Sequence, residues 1–464
     1  MRQKPTKAWI CTLCGYIHYG DEPPAECPVC GADRELFEPV LETSEAALAG
    51  SDKANGRRYV ILGGGIAGVS AAEALRRVDP AGEITLVTEE PGLPYYRMSL
   101  TRYLAGEIKA DELDLHPRAW YEERDIRLRD GVKITGWDVD GKSLIAGEER
   151  LPYDALILTN GAQPFTPPIV GTQLKHATTL RTRADAEAIL AVCAARAEAG
   201  ETPRVVCIGG GILGLETAGG LACRGAHVTV LENQPWMLSR QLNAPAARIF
   251  QAYLKGLGID VVTQARTREI TGVDGIANGV LLEGADAPIP ADLVVISAGV
   301  RANLGMARQG GLEVKNGVIV DENMRTSRPE VFAAGDVTEF QGMLYGLWAP
   351  AQSQGAVAGS SAGGQPAVFR GVPRSTTLKV LGIDLFSAGN VNEVLPEGPL
   401  NALLEAEEGQ HYTGFLFREG VMVGAILLGD ARLAGRVKKA MEERVDFSAL
   451  LAQGSGVAEI RQAL

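Results

Sequence analysis

The chain has 464 residues, of which 46% are hydrophobic, and it carries a net charge of −12 from 45 basic and 57 acidic residues. At about 100–200 residues per domain, this length predicts three or four domains. An acidic chain without a basic block has no surface suited to nucleic acid or to an anionic membrane. No apolar run approaches the roughly 18 residues of a membrane span, and the N-terminus lacks the apolar segment of a signal peptide.

The seven cysteines fall into two classes. Cys193, Cys207 and Cys223 lie in apolar or helical surroundings and are predicted to be reduced, which is a cytoplasmic pattern rather than a disulfide framework. The other four form two Cys-x-x-Cys pairs, and their positions are Cys11, Cys14, Cys27 and Cys30. Four thiolates at this spacing converge on one tetrahedral metal ion, and the spacing alone leaves open whether that ion is zinc or mononuclear iron.

The residues around these pairs resemble a rubredoxin, and more closely the short rubredoxin-like domain of rubrerythrin-type proteins. The resemblance rests on Trp9-Ile10-Cys11, on Cys27-Pro28-Val29-Cys30-Gly31 and on the twelve residues between the pairs. It implies an iron site held by the four cysteines in a module at residues 1–40. A zinc ribbon with a structural role is the alternative. Residues 41–57 are predicted to be a linker, long enough for the module to reach its own chain or a neighbouring subunit.

A glycine-rich motif after an apolar strand predicts a first dinucleotide-binding fold. The glycines of G-x-G-x-x-G allow a tight turn, a close approach of pyrophosphate and close packing of helix on strand, and the helix N-terminus faces the phosphates. The next strand ends at two carboxylates, one of which is expected to accept a hydrogen bond from an adenosine ribose. The candidate residues are Gly63, Gly65, Ala67, Gly68, Glu89 and Glu90.

A second motif of the same kind begins at Gly209 and continues through Gly211 and Gly214. Its second strand ends at Glu232, and a carboxylate there favours the free 2′-hydroxyl of NADH over the 2′-phosphate of NADPH. The nearby Arg224 and Arg240 keep NADPH open. One such motif is weak, but two with a strand before, a helix after and an acid at the right distance predict two α/β nucleotide-binding folds.

A third segment, Pro329–Val337, is an apolar strand that ends in Gly-Asp. Together with the two motifs it resembles the two-dinucleotide flavoprotein family, and the resemblance implies that Asp336 binds the ribityl chain of FAD. Gly161 and Gly299 lie in segments that resemble the family's crossovers out of the FAD and NAD domains. The implied order is an FAD domain at 58–164 and 301–365, an NAD(H) domain inserted at 165–300, and a small α+β domain at 366–464.

The residues expected near the flavin indicate which subgroup of the flavoprotein family this chain resembles. No cysteine lies between Cys30 and Cys193, so disulfide reduction is not expected. Instead, Pro94–Arg102 resembles a segment of NADH:rubredoxin oxidoreductases, oxygenase-type ferredoxin reductases and the flavin portion of assimilatory nitrite reductase. In ferredoxin-reductase relatives a lysine often stands where this chain has Arg102. Arg97 and Arg102 are candidates to stabilise a reduced, anionic flavin; surface salt bridges are the alternative.

Two further residues match positions of interest in the family. Glu216 matches one that faces the nicotinamide and flavin, and the alternative is the ordinary preference for acidic residues at a helix start. Trp348 matches a flavin-side or interface aromatic, and the alternative is core packing. The C-terminal segments at 376–389 and 423–430 resemble the small domain of rubredoxin-reductase and nitrite-reductase flavoproteins, a short mixed sheet with a helix. The chain lacks the further cysteine clusters that nitrite reduction requires.

The sequence therefore predicts an NAD(P)H:rubredoxin oxidoreductase with a fused rubredoxin. Electrons would pass from NADH through FAD to the iron and on to a partner protein, for which family analogy suggests a rubrerythrin-like or other diiron protein. The protein would be a monomer or homodimer. The first alternative is a reductase of a separate electron carrier that has a structural zinc ribbon. The second is a redox-sensing binding protein whose interaction surface responds to NADH and flavin.

Overall fold

The computed structural model describes residues 8–11, 16–25, 27, 33–39, 56–371, 375–378 and 381–464. The chain folds into two compact units. The first consists of Met1–Met98, Ala110–Gln163 and Val300–Val372, and the second of Ser99–Lys109, Pro164–Gly299 and Pro373–Leu464. Within the described residues, no helix is both long enough and apolar enough to cross a membrane. The predicted linker at 41–57 lies almost wholly outside the described residues.

The N-terminal module of the first unit contains a small antiparallel sheet. Its strands are β1 (Ala8–Cys11), β2 (Ile17–Tyr19) and β3 (Phe37–Pro39). They pair in the order β2-β1-β3, with Trp9 opposite both His18 and Pro39. The same register places Cys11 opposite Phe37.

The segment from residue 58 to 164 contributes four strands of a parallel sheet. Its elements in chain order are β4 (Arg58–Leu62), α1 (Ile66–Val78), β5 (Glu83–Val87), α2 (Leu100–Ala105), α3 (Arg118–Glu123), β6 (Ile126–Arg129), β7 (Gly136–Asp138), β8 (Ser143–Ala146), β9 (Glu149–Pro152), β10 (Ala155–Leu158) and β11 (Ala162–Pro164). The central strands β4 and β10 are almost wholly buried because a parallel sheet is covered on both faces. Of these elements, α2 belongs to the second unit.

The inserted segment builds a second parallel sheet. Its elements are β12 (Ala177–Thr178), α4 (Arg183–Glu198), β13 (Arg204–Ile208), α5 (Ile212–Cys223), β14 (His227–Leu231), α6 (Ala244–Gly256), β15 (Ile259–Val262), β16 (Thr267–Val273), β17 (Ile276–Leu282), β18 (Ile289–Pro290) and β19 (Leu293–Ile296). The parallel strands lie in the order β12-β19-β13-β14-β15. We call this sheet and helices α4, α5 and α6 the second nucleotide-binding fold.

The chain then returns to the first sheet. The elements here are β20 (Val300–Ala302), α7 (Gly305–Gln309), β21 (Val318–Val320), β22 (Val331–Ala333), β23 (Thr338–Phe340) and α8 (Trp348–Ala362). Strand β22 pairs in parallel with β10 and completes the order β22-β10-β4-β5-β6. This sheet with α1 and α8 is the first nucleotide-binding fold. Helices α1 and α8 pack closely because Gly355 and Gly359 lie against the carbonyl oxygens of Ala67 and Ala71, where a Cβ would overlap them.

The C-terminal domain is a five-stranded sheet followed by helices. Its elements are β24 (Ser375–Leu378), β25 (Leu385–Gly389), β26 (Ala402–Glu408), β27 (His411–Arg418), β28 (Val421–Leu428), α9 (Ala434–Glu442), α10 (Ser448–Ala452) and α11 (Val457–Ala463). The strand pairings in this sheet are antiparallel, so the expectation of a mixed sheet was wrong. Three helices follow the sheet, where the sequence predicted a helix. The domain contacts the second nucleotide-binding fold, where Asn243 donates to Tyr412 Oη at 2.5 Å and Tyr253 Oη donates to the Leu381 carbonyl at 2.6 Å.

Candidate flavin, nicotinamide and metal sites

The loop between β4 and α1 has the geometry of a phosphate cradle. Gly63 adopts φ +119°, and a Cβ there would overlap the Thr159 carbonyl. A Cβ on Gly68 would overlap the carbonyl oxygen of Gly63, so glycine is needed for helix α1 to pack at this distance. Gly65 caps the helix, and nothing lies within 4 Å of the position its Cβ would take. The open space at this helix N-terminus fits a pyrophosphate.

The two carboxylates after β5 have different partners. Glu90 accepts a hydrogen bond from Tyr95 Oη at 2.6 Å and forms an ion pair with Arg97. Glu89 is exposed and lies 2.9 Å from Lys133 Nζ. Because Tyr95 and Arg97 engage Glu90, Glu89 is the more accessible candidate for a ribose hydroxyl.

The Gly-Asp turn after β22 is held by helix α8. Gly335 adopts φ +83°, and its N–H donates to Gln354 Oε1 at 2.9 Å. The Thr338 hydroxyl donates to the same oxygen at 3.1 Å. Gln354 Nε2 is buried and has no hydrogen-bond partner among the described residues. A buried donor without a partner beside Asp336 fits a bound polar group such as the predicted flavin, because leaving it unsatisfied costs free energy.

Arg97 lies in the same neighbourhood of the first unit. Burial opposes its charge, but attraction to Tyr95, Glu90 and Asp336 outweighs burial and raises the pKa of the guanidinium. The side chain is 27% exposed. Arg97 is therefore a fixed positive charge near the predicted ribityl-binding residue, Asp336.

Gly161 follows β10 and adopts φ +64°. The neighbouring Asn160 donates from Nδ2 to the Asn303 carbonyl at 2.9 Å, and Asn303 returns a hydrogen bond of 2.7 Å to the Asn160 carbonyl. These reciprocal bonds hold the two crossover segments of the first unit together. In the second unit Gly299 adopts φ +103° and has open space on its Cβ side.

The loop between β13 and α5 repeats the first cradle. Gly209 adopts φ +119°, a Cβ on Gly214 would overlap the Gly209 carbonyl, and the Cβ side of Gly211 is open. Glu232, just after β14, accepts from the Gly210 N–H and from the Gln234 N–H, each at 2.8 Å. These two bonds hold the carboxylate beside the cradle, where a ribose hydroxyl of a nicotinamide dinucleotide would meet it.

The predicted catalytic residues are divided between the units, with Arg97 in the first and Arg102 and Glu216 in the second. Arg102 pairs with Glu107 at 2.9 Å, which matches the salt-bridge alternative for this residue. Glu216 accepts a hydrogen bond of 3.2 Å from the Thr101 hydroxyl. Burial raises the pKa of Glu216 to about 7, and the Thr101 bond opposes this rise. Glu216 lies beyond the first turn of α5, which contains no acidic residue, and its role stays a prediction.

In the N-terminal module, the two described cysteines lie in one apolar cluster. Cys11 and Cys27 are fully buried together with Phe37. The Cys11 N–H donates to the Tyr16 carbonyl at 2.8 Å. Cys14 and Cys30 lie outside the described residues. The burial of two thiols in one cluster fits a shared metal, and the four-cysteine site stays a prediction.

The structure adds residues that sequence reasoning missed. Tyr96 and Met98 pack against the Cys11–Cys27–Phe37 cluster, and the Tyr96 ring lies 5.4 Å from the Trp348 ring, centroid to centroid. The only hint in the sequence was a pair of adjacent tyrosines after Pro94. Gln354 carried no signal, since its importance comes from a partner 19 residues away in the chain.

Three family models match the chain. The description "Pyridine nucleotide-disulphide oxidoreductase" covers residues 57–355. "Rubrerythrin, rubredoxin-like domain" covers 9–38, and "Rubredoxin NAD+ reductase C-terminal domain" covers 375–445. The predicted fold class, a multidomain α/β flavoprotein with a rubredoxin-like module and a small C-terminal domain, is confirmed.

The chain is 33% identical to a nitrite reductase [NAD(P)H] of Bacillus subtilis over 84% of its own length, but it spans only 48% of that relative. It is 33% identical to the rubredoxin-NAD(+) reductase of Pseudomonas putida, with 62% of this chain and 73% of the relative covered. Among solved structures, it resembles the NADH:rubredoxin oxidoreductase of Clostridium acetobutylicum with a TM-score of 0.72 and 26% identity, covering 88% of this chain and all of that one.

Proposed function

Because the chain belongs to the pyridine nucleotide-disulphide oxidoreductase family, we propose that it passes electrons from NADH to a rubredoxin-type iron site within the same chain. When bound, FAD would accept a hydride from NADH and release its electrons singly to iron held by Cys11, Cys14, Cys27 and Cys30. Overall, one NADH and two Fe(III) give NAD⁺, one proton and two Fe(II). Despite the family's name, disulfide reduction is not proposed, because the chain has no cysteine between Cys30 and Cys193.

One observation carries the proposal: the cysteine-containing module packs on the first nucleotide-binding fold within one compact unit. Tyr96 and Met98, which follow β5, contact the cluster that contains Cys11 and Cys27. A purely structural zinc ribbon would not have to lie beside the predicted flavin-binding residues, whereas an electron-transfer centre would. The family membership makes a flavin-dependent electron transfer the expected activity. The contact between the module and the first nucleotide-binding fold supports a transfer within the chain.

Five of the predicted residues have a role in this proposal. Gly65 and Gly211 leave room for the pyrophosphates of FAD and NADH. Asp336 would hold the ribityl chain, and Arg97 would supply positive charge that favours the reduced, anionic flavin. Glu232 would select NADH through its ribose hydroxyl, since a 2′-phosphate would meet a carboxylate already fixed by two backbone N–H groups.

The electron count constrains the partner. NADH delivers two electrons and a single iron accepts one, so the module must pass on the first electron before it accepts the second. We propose that the acceptor meets the module itself and, on family analogy, that it is a diiron protein of the rubrerythrin type. In the first alternative, the reductase with a structural zinc ribbon, the flavin reduces a separate carrier directly. In the second alternative, the redox-sensing binding protein, there is no electron acceptor.

Anaerobic stopped-flow absorption after mixing with NADH tests this proposal. We expect flavin bleaching first and then loss of the ferric absorption, both at rates that do not depend on protein concentration. A Cys27→Ser variant is the matched control, because it should keep flavin reduction and lose the second phase. Flavin that cycles while the metal stays oxidised would contradict the proposal in favour of a separate carrier. If the protein binds its cofactors tightly but reduces no acceptor, the redox-sensing binding protein would be favoured instead.

A further inference from the structure

Four aromatic rings follow one another from the buried cysteines to the first residue of helix α8. The Phe37 and Tyr16 rings lie 6.4 Å apart at an interplanar angle of 89°. Tyr16 and Tyr96 lie 6.1 Å apart at 68°, and Tyr96 and Trp348 lie 5.4 Å apart at 30°. The first two contacts have the edge-to-face geometry that aromatic pairs prefer. Phe37 and Tyr16 belong to the module, whereas Tyr96 and Trp348 belong to the first nucleotide-binding fold.

The tyrosines at the junction stand on fixed backbones. The Tyr96 N–H donates to the Leu113 carbonyl at 2.8 Å, and the Leu115 N–H donates to the Pro94 carbonyl at 2.9 Å. The Tyr16 carbonyl accepts from the Cys11 N–H at 2.8 Å, which ties Tyr16 to a residue of the cysteine cluster. Tyr16 and Tyr96 thus both pack against the cysteine cluster and stand on backbones that are hydrogen-bonded to their own part of the first unit.

We propose that Tyr16 and Tyr96 are positioning residues that dock the metal module on the flavin fold of its own chain. This inference rests on the proposed function, which gives the docked position its purpose. Met98 extends the docked surface, since it packs against the same cluster as Cys11 and Cys27. While the module is docked it covers Tyr96 and Met98, so a separate carrier protein would have to displace it to reach this part of the flavin fold.

The direct test is hydrogen exchange on the full-length, metal- and FAD-loaded protein, read by mass spectrometry on peptides that span Tyr16 and Tyr96. The loss of one edge-to-face pair changes an equilibrium constant about 2- to 10-fold. Tyr16→Leu or Tyr96→Leu should therefore speed hydrogen exchange by this factor in the peptides on both sides of the contact. The effect of the double variant should be smaller than the product of the two single effects, because both single variants remove the shared Tyr16–Tyr96 contact. Tyr16→Phe and Tyr96→Phe are matched controls that keep the rings, and both should behave as wild type.

Unchanged exchange in both leucine variants, or additive effects in the double variant, would overturn the docking role. Tyr96→Leu lies outside the module, so it remains informative if Tyr16→Leu fails to retain its metal. Dependence of wild-type exchange at these peptides on protein concentration would also overturn it, because docking would then occur between chains.

A second readout separates this inference from the proposed function. Reduction of the iron by flavin should slow about 2- to 10-fold in Tyr16→Leu, in proportion to the lost docking, while flavin reduction by NADH stays at the wild-type rate. Iron that is never reduced in the wild type would refute the proposed function, and the exchange experiment would still decide whether the module docks. Iron reduced equally fast in wild type and both leucine variants would overturn the inference alone.

Discussion

The two nucleotide-binding folds use the same backbone to hold two different predicted cofactors. Gly63 and Gly209 share φ +119°, and Gly68 and Gly214 each lie against the carbonyl of the corresponding first glycine. In both folds the first glycine donates to the last residue of the second strand, Val87 at 2.7 Å or Leu231 at 2.8 Å. The parts that meet a pyrophosphate are thus the same, as expected when both ligands share that group.

The duplication extends to the opposite end of each sheet. Arg58 at the start of β4 donates from its backbone and side chain to Asp154, and Arg204 at the start of β13 does the same to Asp292. The two folds differ in burial, since the Asp154 side chain is 39% exposed and that of Asp292 is 6% exposed. Arg196 forms a further ion pair with Asp292.

The folds differ in their side chains at two equivalent positions. The residue after the second strand is Thr88 in the first fold and Glu232 in the second. Two residues after the third glycine stand Ser70 and Glu216, respectively. The comparison teaches that phosphate binding is fixed by backbone geometry, and that side chains at a few positions assign each fold its ligand.

The largest expected effect separates the two Arg–Asp pairs. Asp292→Ala should cost about 2–3 kcal/mol of unfolding free energy, because it removes a buried carboxylate that accepts hydrogen bonds from two partly exposed guanidinium groups and from the Arg204 backbone N–H. Asp154→Ala should cost about 1 kcal/mol or less, since that carboxylate is partly solvated. Urea unfolding of both variants measures the difference. Equal losses would show that burial does not distinguish the pairs.

The next effect concerns cofactor choice. Glu232→Ala should weaken NADH binding about 10- to 100-fold, the worth of a hydrogen bond to a charged group, and narrow its advantage over NADPH. KM values for both nucleotides measure it. Glu89→Ala is the control in the first fold and should leave the ratio of the two KM values unchanged. A ratio that Glu232→Ala does not move would refute its assignment to the ribose.

Alanine at the packing glycines should disable one site at a time. Gly68→Ala and Gly214→Ala each force a helix away from its strand, at a cost of about 1–3 kcal/mol. The first variant should lose FAD on purification. The second should keep FAD but lose its reduction by NADH, as followed by the flavin absorption. Loss of both functions in either variant would mean that the two sites do not fold independently.

In the second fold, Glu216 should make a pH-dependent contribution to stability. The pKa of Glu216 is raised by burial from 4.5 to about 7, so between these values the folded protein holds a proton that the unfolded chain releases. Stability should therefore fall as pH rises from about 4.5 to 7 relative to Glu216→Gln, whose curve lacks this component. Thermal unfolding from pH 5 to 8 measures both. Parallel curves would contradict the raised pKa.

The smallest effect contrasts two buried hydroxyls behind the cradles. Thr159 Oγ1 donates to the carbonyls of Leu62 at 3.0 Å and Gly63 at 2.9 Å. Ser297 Oγ, in the corresponding place, has no partner among the described residues. Thr159→Val should cost about 1 kcal/mol, and Ser297→Ala should be close to neutral. A clear loss from Ser297→Ala in urea unfolding would indicate a bound partner for that hydroxyl.

The sequence predicted the parts of the molecule that local spacing determines. The G-x-G-x-x-G motifs place Gly63 and Gly209 in turns with positive φ because the strand-turn-helix unit is short and contiguous. Asp336 follows β22 as expected from its apolar strand. The spacing of the two Cys-x-x-Cys motifs also predicted that Cys11 and Cys27 lie close together, as they do in one buried cluster.

Contacts between distant segments could not be predicted from the sequence. Tyr16 and Tyr96 are 80 positions apart, and no periodic pattern connects them. The same holds for Asn243 and Tyr412, which join the C-terminal sheet to the second nucleotide-binding fold. The sequence also did not show which carboxylate pairs with each arginine, because Arg97 and Arg102 both have several carboxylates nearby. In the fold, Arg97 pairs with Glu90 and Arg102 pairs with Glu107.

Metal analysis combined with a visible spectrum before and after anaerobic addition of NADH tests the central claim most directly. Our account predicts one iron per chain, with a ferric absorption that bleaches together with the flavin. One zinc per chain, with bleaching of the flavin alone, would contradict electron transfer within the chain and make the N-terminal module a structural element.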